Sequence, residues 1–518
     1  MLEIRPLDAS ALLLYLLGMS AMALYFSKRN TNTEEYFVGG RSFPGWVIGI
    51  SLLGTTISSV SFLAFPAAAY ALDWRLLVPN LWLPFVAILA IIIFIPFFRR
   101  GQLTSAFEYL EDRYGSAVRL YGTISYILLA LLRVGKFLFL ASIPLSLFSG
   151  LPTPTVIILL GIFVAFYTIL GGIDAVIWSD VIQTIILMVG GLVCVVFIVW
   201  KLPGGIDQIF EVAEASSKFH LGSTDWNLNE RTFWTVTLLG IFSWLTNYSA
   251  DQNFIQRYAA SRSTRDARIA TATFSLLAVP TWTFFFFIGT CLFVFYSVLP
   301  DPQVAQLEAD EIFPFFILSQ IPAGLAGLII AAVLAAAMSS LDSSINAVAT
   351  LTVVDLIRPR FIKGREDAFY LKAAKLVAIL TSAIMILLAW IFSTLPKESM
   401  ADLGWIVVSV FGGCLVGLFM LGFFSTRVDN QCVLVALPIS ILLNFYLMLN
   451  TVGWLPQGWS IDIHSYWVGI LVNIVFVCLA YGISLILSKP PGQRLEGLTI
   501  WTQENTRHIK TAGAETFK

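Results

Sequence analysis

The stretch LAAAMSSLDSSINAVAT, residues 334–350, places one aspartate among four serines in a run that is otherwise apolar. Such a run has the composition of a membrane-spanning helix, yet a charged side chain at bilayer depth costs about 2.5–3.5 kcal/mol even on the mildest insertion scale. Because residues three and four apart share one face of a helix, Ser339, Asp342 and Ser343 form an oxygen-rich cluster, with Ser340 beside them. The sequence therefore predicts a polar site inside a membrane protein.

The composition of the whole chain agrees with this prediction. Its 518 residues are 58% hydrophobic and 12% charged, and no soluble domain can bury so large an apolar fraction around one core. The formal net charge is −1, and the sequence has no basic stripe or nucleic-acid-binding motif. We therefore expect a polytopic membrane protein whose partners are the lipid bilayer and small solutes, with no role for nucleic acid.

Thirteen apolar segments are long enough to cross a bilayer, which takes about 20 residues of helix. Their approximate positions are 8–27, 44–72, 76–98, 118–149, 152–171, 176–201, 232–253, 268–298, 312–355, 368–395, 402–425, 431–451 and 465–488. The loops that follow the odd-numbered segments are richer in cations than the alternate loops. These cations include Lys28, Arg29, Arg99, Arg100, Arg257, Arg262, Arg265, Arg268, Arg358, Arg360, Lys363, Arg365 and Arg427. Because cytoplasmic loops carry the positive excess, we expect the N-terminus outside and the C-terminus inside.

Two segments contain runs that are poor membrane helices. GTTISSVSF, 54–62, concentrates β-branched and hydroxyl-bearing residues in the second segment, and WLTNYSADQNF, 244–254, does so in the seventh and adds an aspartate. Matching interruptions in two five-helix halves are typical of transporters with inverted repeats and a binding site near the midplane. The predicted organisation is one transmembrane transporter domain, 1–488, with a first helix, 8–27, core repeats, 44–201 and 232–425, extra helices, 431–488, and a cytoplasmic tail, 489–518.

The oxygen-rich face within 334–350 suits a hard monovalent cation such as Na⁺, which prefers oxygen ligands. Serines in membrane helices also permit close packing or bond back to a carbonyl group one turn earlier, so this alternative stays open for each serine. Asp180 opens another span and is either an ion ligand or a helix cap. For Asp342 the alternatives are an ion ligand, a protonated hydrogen-bond donor, or an ion-pair partner of Lys136 or Arg133.

Arg133 lies in the middle of an apolar segment, where its permanently charged guanidinium needs an anion. The anion is either a carboxylate of the protein or the carboxylate of a solute. Lys136 lies one turn further on. It either shares an anion site with Arg133, forms an ion pair with Asp342, or extends its side chain to the membrane interface. The residues alone leave these alternatives open.

Several stretches of the chain resemble the sodium:solute symporter family. They include TTISSVSFLAFPAAAYALDW (55–74), GGIDAVIWSDVIQ (171–183), DQNFIQRY (251–258) and GLIIAAVLAAAMSSLDSSIN (327–346). The bacterial sodium-coupled sialic acid symporters are especially similar to this chain. The resemblance implies an all-α polytopic membrane protein with a leucine-transporter-type fold. In this fold two inverted repeats of five helices each form the core, with one helix before them in the chain and two helices after them. It implies a sodium-coupled symporter, with no enzymatic activity, that imports a sialic acid or a related carboxylate-bearing sugar by alternating access.

The resemblance also implies ligands, residue by residue. The general sodium site of the family falls on the carbonyl groups of Gly54, Ile57 and Ala336 and on the hydroxyl groups of Ser339 and Ser340. A further sodium site, similar to that of the sialic acid symporters, falls on Asp180, Ser339, Asp342 and Ser343. The aspartate at position 342 is a departure, because those relatives carry serine there. The solute-binding residues that the resemblance implies are Thr56, Ser58, Ser61, Asn80, Arg133 and Tyr248.

Other functions stay open on the residues alone. If Arg133 only pairs within the protein, the solute is a neutral sugar, a polyol or an amino acid. A channel prefers rings of symmetric lining residues, and a sensor needs a larger output module than the predicted tail, so both are less favoured. The histidines lie outside the predicted spans and no HExxH, GxSxG or Walker pattern is present, which argues against an enzyme. We expect a monomer in a bacterial inner membrane.

Overall fold

The computed structural model describes residues 5–28, 30–58, 60–100, 103–394, 412–456, 458–487 and 495–502. Over these residues the secondary structure is helical, apart from turns and an isolated bridge between Phe43 and Ser261. The all-α fold predicted from the sequence is therefore confirmed for the described residues.

The body of the protein is built from helices of very different lengths. In chain order they are α1 (Pro6–Ser27), α2 (Gly45–Thr56), α3 (Phe65–Ala71), α4 (Arg75–Arg99), α5 (Ser116–Ser149), α6 (Thr153–Lys201), α7 (Phe233–Ala250), α8 (Gln252–Ala260), α9 (Thr264–Val298), α10 (Ala309–Gln320), α11 (Leu325–Phe361), α12 (Asp367–Thr394), α13 (Leu415–Phe424), α14 (Asn430–Val452) and α15 (Trp467–Ile486). Shorter helices, Thr33–Val38, Glu108–Tyr114 and Gly205–Ala215, lie between them.

Nine helices of the described residues are long and apolar enough to cross a membrane, namely α1, α4, α5, α6, α9, α11, α12, α14 and α15. A further crossing is formed by α2 and α3 together, which are bent by 64° at the break between them. The chain is therefore a multi-pass membrane protein, as its composition predicts.

Helix α6 contains a sharp break at Gly172. Its 49 residues, at about 1.5 Å each, are more than twice as long as the about 30 Å of hydrocarbon in a bilayer. Gly172 has φ 57° and ψ −164°, outside the helical region, and glycine adopts such a backbone without steric cost. Asn30 donates hydrogen bonds to the carbonyl oxygens freed there, at 2.8 Å to Gly171 and 3.2 Å to Leu170. The predicted separation of the segments 152–171 and 176–201 is confirmed.

The prediction of one uninterrupted span over 312–355 was wrong. Helix α10 ends at Gln320 and a turn separates it from α11, which begins after Gly324, a residue with φ +89°. Asp8 on α1 accepts hydrogen bonds from the backbone N–H groups of Gly324 at 2.6 Å and Gly327 at 2.8 Å. The carboxylate that caps α11 thus comes from 316 positions earlier in the chain, where an analysis of local hydropathy cannot find it.

Two predicted parts of the chain lie partly outside the described residues. Of the segment 402–425, residues 412–425 are described, including α13. Of the tail 489–518, residues 495–502 are described.

Helix α11 is the central helix of the molecule. In its most apolar window 89% of the residues are buried, against 17% in α1. It packs against α1, α2, α5, α6 and α12. The serine-rich stretch 334–350 therefore faces other helices on every side, which is where a polar face can persist at membrane depth.

Candidate functional site

The predicted poor helix at 54–62 is a break in the structure. Helix α2 ends at Thr56, and the next residue, Ile57, has an extended backbone with φ −82° and ψ 92°. A π-helical turn, Val60–Ala64, leads into α3. Ser58 and Ser61 lie at this break, and both are buried. An interrupted helix at membrane depth is tolerated where it lines a polar interior.

Helix α11 meets this break through two serine hydroxyl groups. Ser339 Oγ donates to the carbonyl oxygen of Gly54 at 2.9 Å and to that of Ala336 at 3.2 Å. Ser340 Oγ donates to the carbonyl oxygen of Thr55 at 2.8 Å. The structure therefore brings together four of the five residues predicted for the general sodium site. The fifth, Ile57, is buried one residue beyond the end of α2.

The second interrupted segment, 244–254, is also a break. Helix α7 ends at Ala250, and Asp251 has an extended backbone with φ −83° and ψ 119° before α8 begins. The Asp251 carboxylate caps α8 by accepting a hydrogen bond from the backbone N–H of Asn253 at 2.8 Å. Both interruptions predicted from the sequence are thus confirmed.

Arg257 was assigned to a cytoplasmic loop from the sequence, and this was wrong. It lies on α8, which is the second half of the interrupted segment, and its side chain is 0% exposed. Arg257 Nη2 lies 2.7 Å from Asp180 Oδ2 and 2.7 Å from Ser343 Oγ, and its Nε donates to Ser51 Oγ at 2.8 Å. Its position in the stretch DQNFIQRY, directly after a helix break, is the signal that could have placed it inside the protein.

This guanidinium lies between two of the predicted ligands of the second ion site, Asp180 and Ser343. Asp180 Oδ2 also accepts hydrogen bonds from Ser51 at 2.5 Å and from Thr55 at 3.1 Å, while Asp180 Oδ1 is buried without a partner. In this conformation the cation beside Asp180 is therefore a side chain of the protein. A sodium ion that uses both Asp180 and Ser343 requires Arg257 to move.

Asp342 lies next to this pair and is 0% exposed. Its Oδ2 accepts a hydrogen bond from Tyr167 Oη at 2.8 Å, and its Oδ1 accepts one from the backbone N–H of Ser343 at 2.6 Å. Among the described residues the ion pairs include none at Asp342, so the predicted alternative of a pair with Lys136 or Arg133 is not formed. The buried group of Asp180, Arg257 and Asp342 has one carboxylate more than its guanidinium can neutralise when both carboxylates are ionised.

Arg133 forms an ion pair within the protein. Its Nη1 lies 2.9 Å from Asp251 Oδ2, and Tyr126 Oη donates to Asp251 Oδ1 at 2.8 Å and accepts from Arg133 Nη2 at 3.3 Å. The side chain of Arg133 is 19% exposed and that of Asp251 is 4% exposed. Arg133 Nε is buried and has no partner, so its N–H group can donate a hydrogen bond to a further acceptor. Lys136, one turn further on, is buried with its Nζ 5.2 Å from the centroid of the Phe137 ring.

The remaining predicted solute residues lie near the two breaks. Thr56 Oγ1 donates back to the carbonyl oxygens of Leu52 and Leu53, at 2.9 and 3.0 Å, as the packing alternative for helix hydroxyls expects. Tyr248, on α7, and Asn80, on α4, are both buried, and Tyr248 Oη and Asn80 Nδ2 have no hydrogen-bond partner. Tyr248 is three residues before Asp251 at the second break, whereas Thr56, Ser58 and Ser61 lie at the first break.

Two interrupted helices that pack around a central helix with a polar face are typical of secondary transporters. Residues 36–439 match the model of the sodium:solute symporter family. The chain is 35% identical to the sodium/sialic acid symporter SiaT of Proteus mirabilis over 83% of this chain and 86% of that protein. It is 31% identical to the sodium/sialic acid symporter NanT of Aliivibrio fischeri over 92% of each chain. The chain belongs to the sodium:solute symporter family.

Solved structures agree with this assignment. A substrate-bound, outward-open structure of a Na⁺-coupled sialic acid symporter superposes with a TM-score of 0.85 at 30% identity, over 94% of this chain and 99% of that one. Mhp1, a transporter of the nucleobase-cation-symport-1 family, superposes with a TM-score of 0.56 at 15% identity, which shows a shared fold. As a member of its family, the protein is a multi-pass transporter, and sodium is the ion to which it couples solute movement.

Proposed function

We propose that the protein imports a sialic acid, or a related sugar with a carboxylate, together with sodium. Two relatives that align over most of the chain are sodium/sialic acid symporters, and their substrate supports this choice. The observation that carries the transport mechanism is the contact between the α2–α3 break and α11, where Ser339 and Ser340 reach freed backbone oxygens. Alternating access around this contact would carry ion and solute through the bilayer.

The proposed topology has about thirteen spans, with the N-terminus outside and the C-terminus in the cytoplasm of a bacterium. In the described residues the nine apolar helices, the bent α2–α3 pair and the division of α6 at Gly172 account for eleven crossings, and α7 and α13 lie in the predicted seventh and eleventh segments. The transporter domain spans residues 1–488 and the tail residues 489–518. The protein works as a monomer in the inner membrane, because both halves of the site come from one chain.

The first sodium ion would bind where the backbone of the α2 end meets α11. Its ligands are the carbonyl oxygens of Gly54, Ile57 and Ala336 and the hydroxyl oxygens of Ser339 and Ser340. Ser339 Oγ already donates to the carbonyl oxygens of Gly54 at 2.9 Å and Ala336 at 3.2 Å, and Ser340 Oγ donates at 2.8 Å to that of Thr55, next to Gly54. A cage made of oxygen alone suits this hard cation.

We expect Ser339→Ala and Ser340→Ala to raise the sodium concentration for half-maximal uptake at least about tenfold, because each removes one oxygen ligand and a charge-assisted contact contributes about 1.5–3 kcal/mol. The measurement is uptake of labelled sialic acid into proteoliposomes over a range of external sodium concentrations. Ser393→Ala, on an exposed part of α12, is the matched control and should leave the curve unchanged. Full uptake by the wild type in choline or potassium buffer, without a proton gradient, would refute sodium symport.

The solute would bind between the two breaks. The proposed residues are Thr56, Ser58, Ser61, Asn80, Arg133 and Tyr248. Arg133 would contact the carboxylate, since its Nε is buried without a partner while its Nη1 pairs with Asp251. The same pair favours a second candidate function, because a permanently paired Arg133 would leave a site for a neutral sugar, a polyol or an amino acid. Uptake of a panel of anionic and neutral sugars under an inward sodium gradient separates the two.

A second sodium ion would bind at Asp342, with Asp180, Ser339 and Ser343 as its other ligands. The excess of one buried carboxylate over the Arg257 guanidinium supports this proposal. The ion would need Arg257 to withdraw from Ser343, since the two are 2.7 Å apart. A carboxylate at position 342 would hold this ion more tightly than the serine of the relatives would.

The number of charges moved per solute tests the second ion. Two sodium ions with one monoanion move one net charge, worth about 2.3 kcal/mol per 100 mV, whereas one sodium ion moves none. We expect about one charge per sialic acid in the wild type and a smaller ratio at low sodium in Asp342→Ser. The ratio is measured as current and uptake in voltage-controlled proteoliposomes, with Ser344→Ala as the control on the same helix. An electroneutral wild type would contradict the second ion.

A further inference from the structure

A group of buried hydrogen-bond donors without partners lies where α4, α7 and α9 meet. The donor atoms are Asn80 Nδ2, Trp244 Nε1, Tyr248 Oη and Trp282 Nε1. The exposed fractions of these residues are 2%, 4%, 0% and 3%. More than about 90% of buried polar groups in proteins have a partner, and buried tyrosine and tryptophan donors usually find one. Four unpaired donors in one region therefore point to a ligand that accepts hydrogen bonds.

The aromatic members of this donor group are in direct contact. The rings of Trp244 and Trp282 have centroids 5.4 Å apart and planes inclined by 37°, and the rings of Trp244 and Tyr248 are 6.1 Å apart. Asn80 follows Pro79, which packs directly against Gly240. A Cβ atom added to Gly240 would lie only 2.4 Å from the carbonyl oxygen of Pro79, so only glycine allows this close approach. Gly240 lies one turn before Trp244 on α7, so the start of α4 packs against α7 one turn from Trp244.

The donor group lies at the level of both helix breaks. Trp282 is one turn before Phe285 on α9, and the Phe285 ring is 5.3 Å from the ring of Phe62, in the π-helical turn of the first break. Tyr248 lies three residues before Asp251, which forms the second break and pairs with Arg133. The donors therefore border the region between the breaks, where an alternating-access transporter binds its solute.

We infer that Trp244 and Trp282 bind the transported solute, with Asn80 and Tyr248 beside them. The indole N–H groups would donate to hydroxyl or carboxylate oxygens, and the ring faces would contact an apolar C–H face. A pyranose ring with several oxygens has both features, as binding sites with apolar walls and a few placed polar groups require. This inference rests on the proposed function and adds to it two residues, Trp244 and Trp282, that would contact the sugar ring.

The test uses Trp282→Phe and Trp244→Phe, which keep an aromatic ring and remove the N–H donor. We expect each variant to raise the KM for sialic acid about five- to tenfold, as the loss of one buried hydrogen bond predicts, with a much smaller change in kcat. Trp390→Phe is the matched control, because Trp390 is 48% exposed on α12. Thermal unfolding in detergent, with and without sodium and with and without sialic acid, provides a second measurement that does not depend on transport.

The outcomes separate the inference from the proposed function. A lower stabilisation by sialic acid, with the stabilisation by sodium unchanged, supports the inference even if a variant transports slowly. Unchanged KM and unchanged stabilisation by sialic acid in both variants would overturn the inference while sodium-driven uptake by the wild type still stands. A wild type that neither takes up nor is stabilised by sialic acid would overturn the sialic acid assignment and the inference together.

Discussion

Arg257→Met is expected to abolish sodium-driven uptake and to lower the thermal unfolding temperature of the detergent-solubilised protein. Asp180, which is 0% exposed, would lose the guanidinium 2.7 Å from its Oδ2 atom, and Ser51 and Ser343 would lose their donor. Removing one partner of a buried ion pair costs about 3–5 kcal/mol, because the other charge remains buried. The two measurements are the unfolding temperature and the initial rate of uptake into proteoliposomes.

Arg262→Met is the matched control for this prediction. Arg262 pairs with Asp266 at 2.9 Å, but its side chain is 62% exposed, and an exposed pair contributes about 0–1 kcal/mol. The double variant Arg257→Met/Asp180→Leu should regain part of the stability, since apolar residues often replace a buried pair without loss. It should still fail to transport if Asp180 binds an ion. Equal unfolding temperatures for Arg257→Met and Arg262→Met would show that the buried pair is not formed.

Arg133→Lys is expected to weaken the uptake of sialic acid by about 10- to 100-fold in KM. Lysine keeps the charge but replaces a planar fork of N–H donors with a single point charge, and hydrogen bonds between ionised groups are about twice as strong as neutral ones. The measurement is the KM of uptake, together with competition by neutral hexoses. Neutral hexoses should compete poorly with sialic acid in the wild type.

Asp251→Asn separates a solute role of Arg133 from a purely internal one. If Arg133 binds the solute, Asp251→Asn frees the guanidinium, and binding of the anionic solute should survive better than in Arg133→Lys. If Arg133 only pairs with Asp251 at 2.9 Å, the two variants should lose activity to the same extent. That second result, joined by strong competition from an uncharged hexose, would favour a neutral solute.

Local patterns in the sequence were sufficient for most of the helices and for the interruptions at 54–62 and 244–254, although they missed the break between α10 and α11. The hydroxyl-rich run 54–62 and the polar run 244–254 are broken in the structure because their residues favour neither burial in lipid nor an uninterrupted helix. Helical periodicity grouped Ser339 with Asp342 and Ser343 on one face, with Ser340 beside them, and the structure sets Ser339 and Ser340 against the first break. These features depend on residues within a few turns of one another, so the sequence contains them directly.

The partners of the buried charges were decided only by the tertiary structure. Arg257 pairs with Asp180, 77 positions away, and Arg133 pairs with Asp251, 118 positions away. A one-dimensional pattern gives the cost of a buried charge but not the identity of the group that offsets it, because that group comes from another helix. For the same reason the sequence left three roles open for Asp342, whereas the packing of α6 against α11 set Tyr167 Oη 2.8 Å from its carboxylate. The sequence by itself determined that the membrane interior holds charges, and the packing of the helices decided which charges meet.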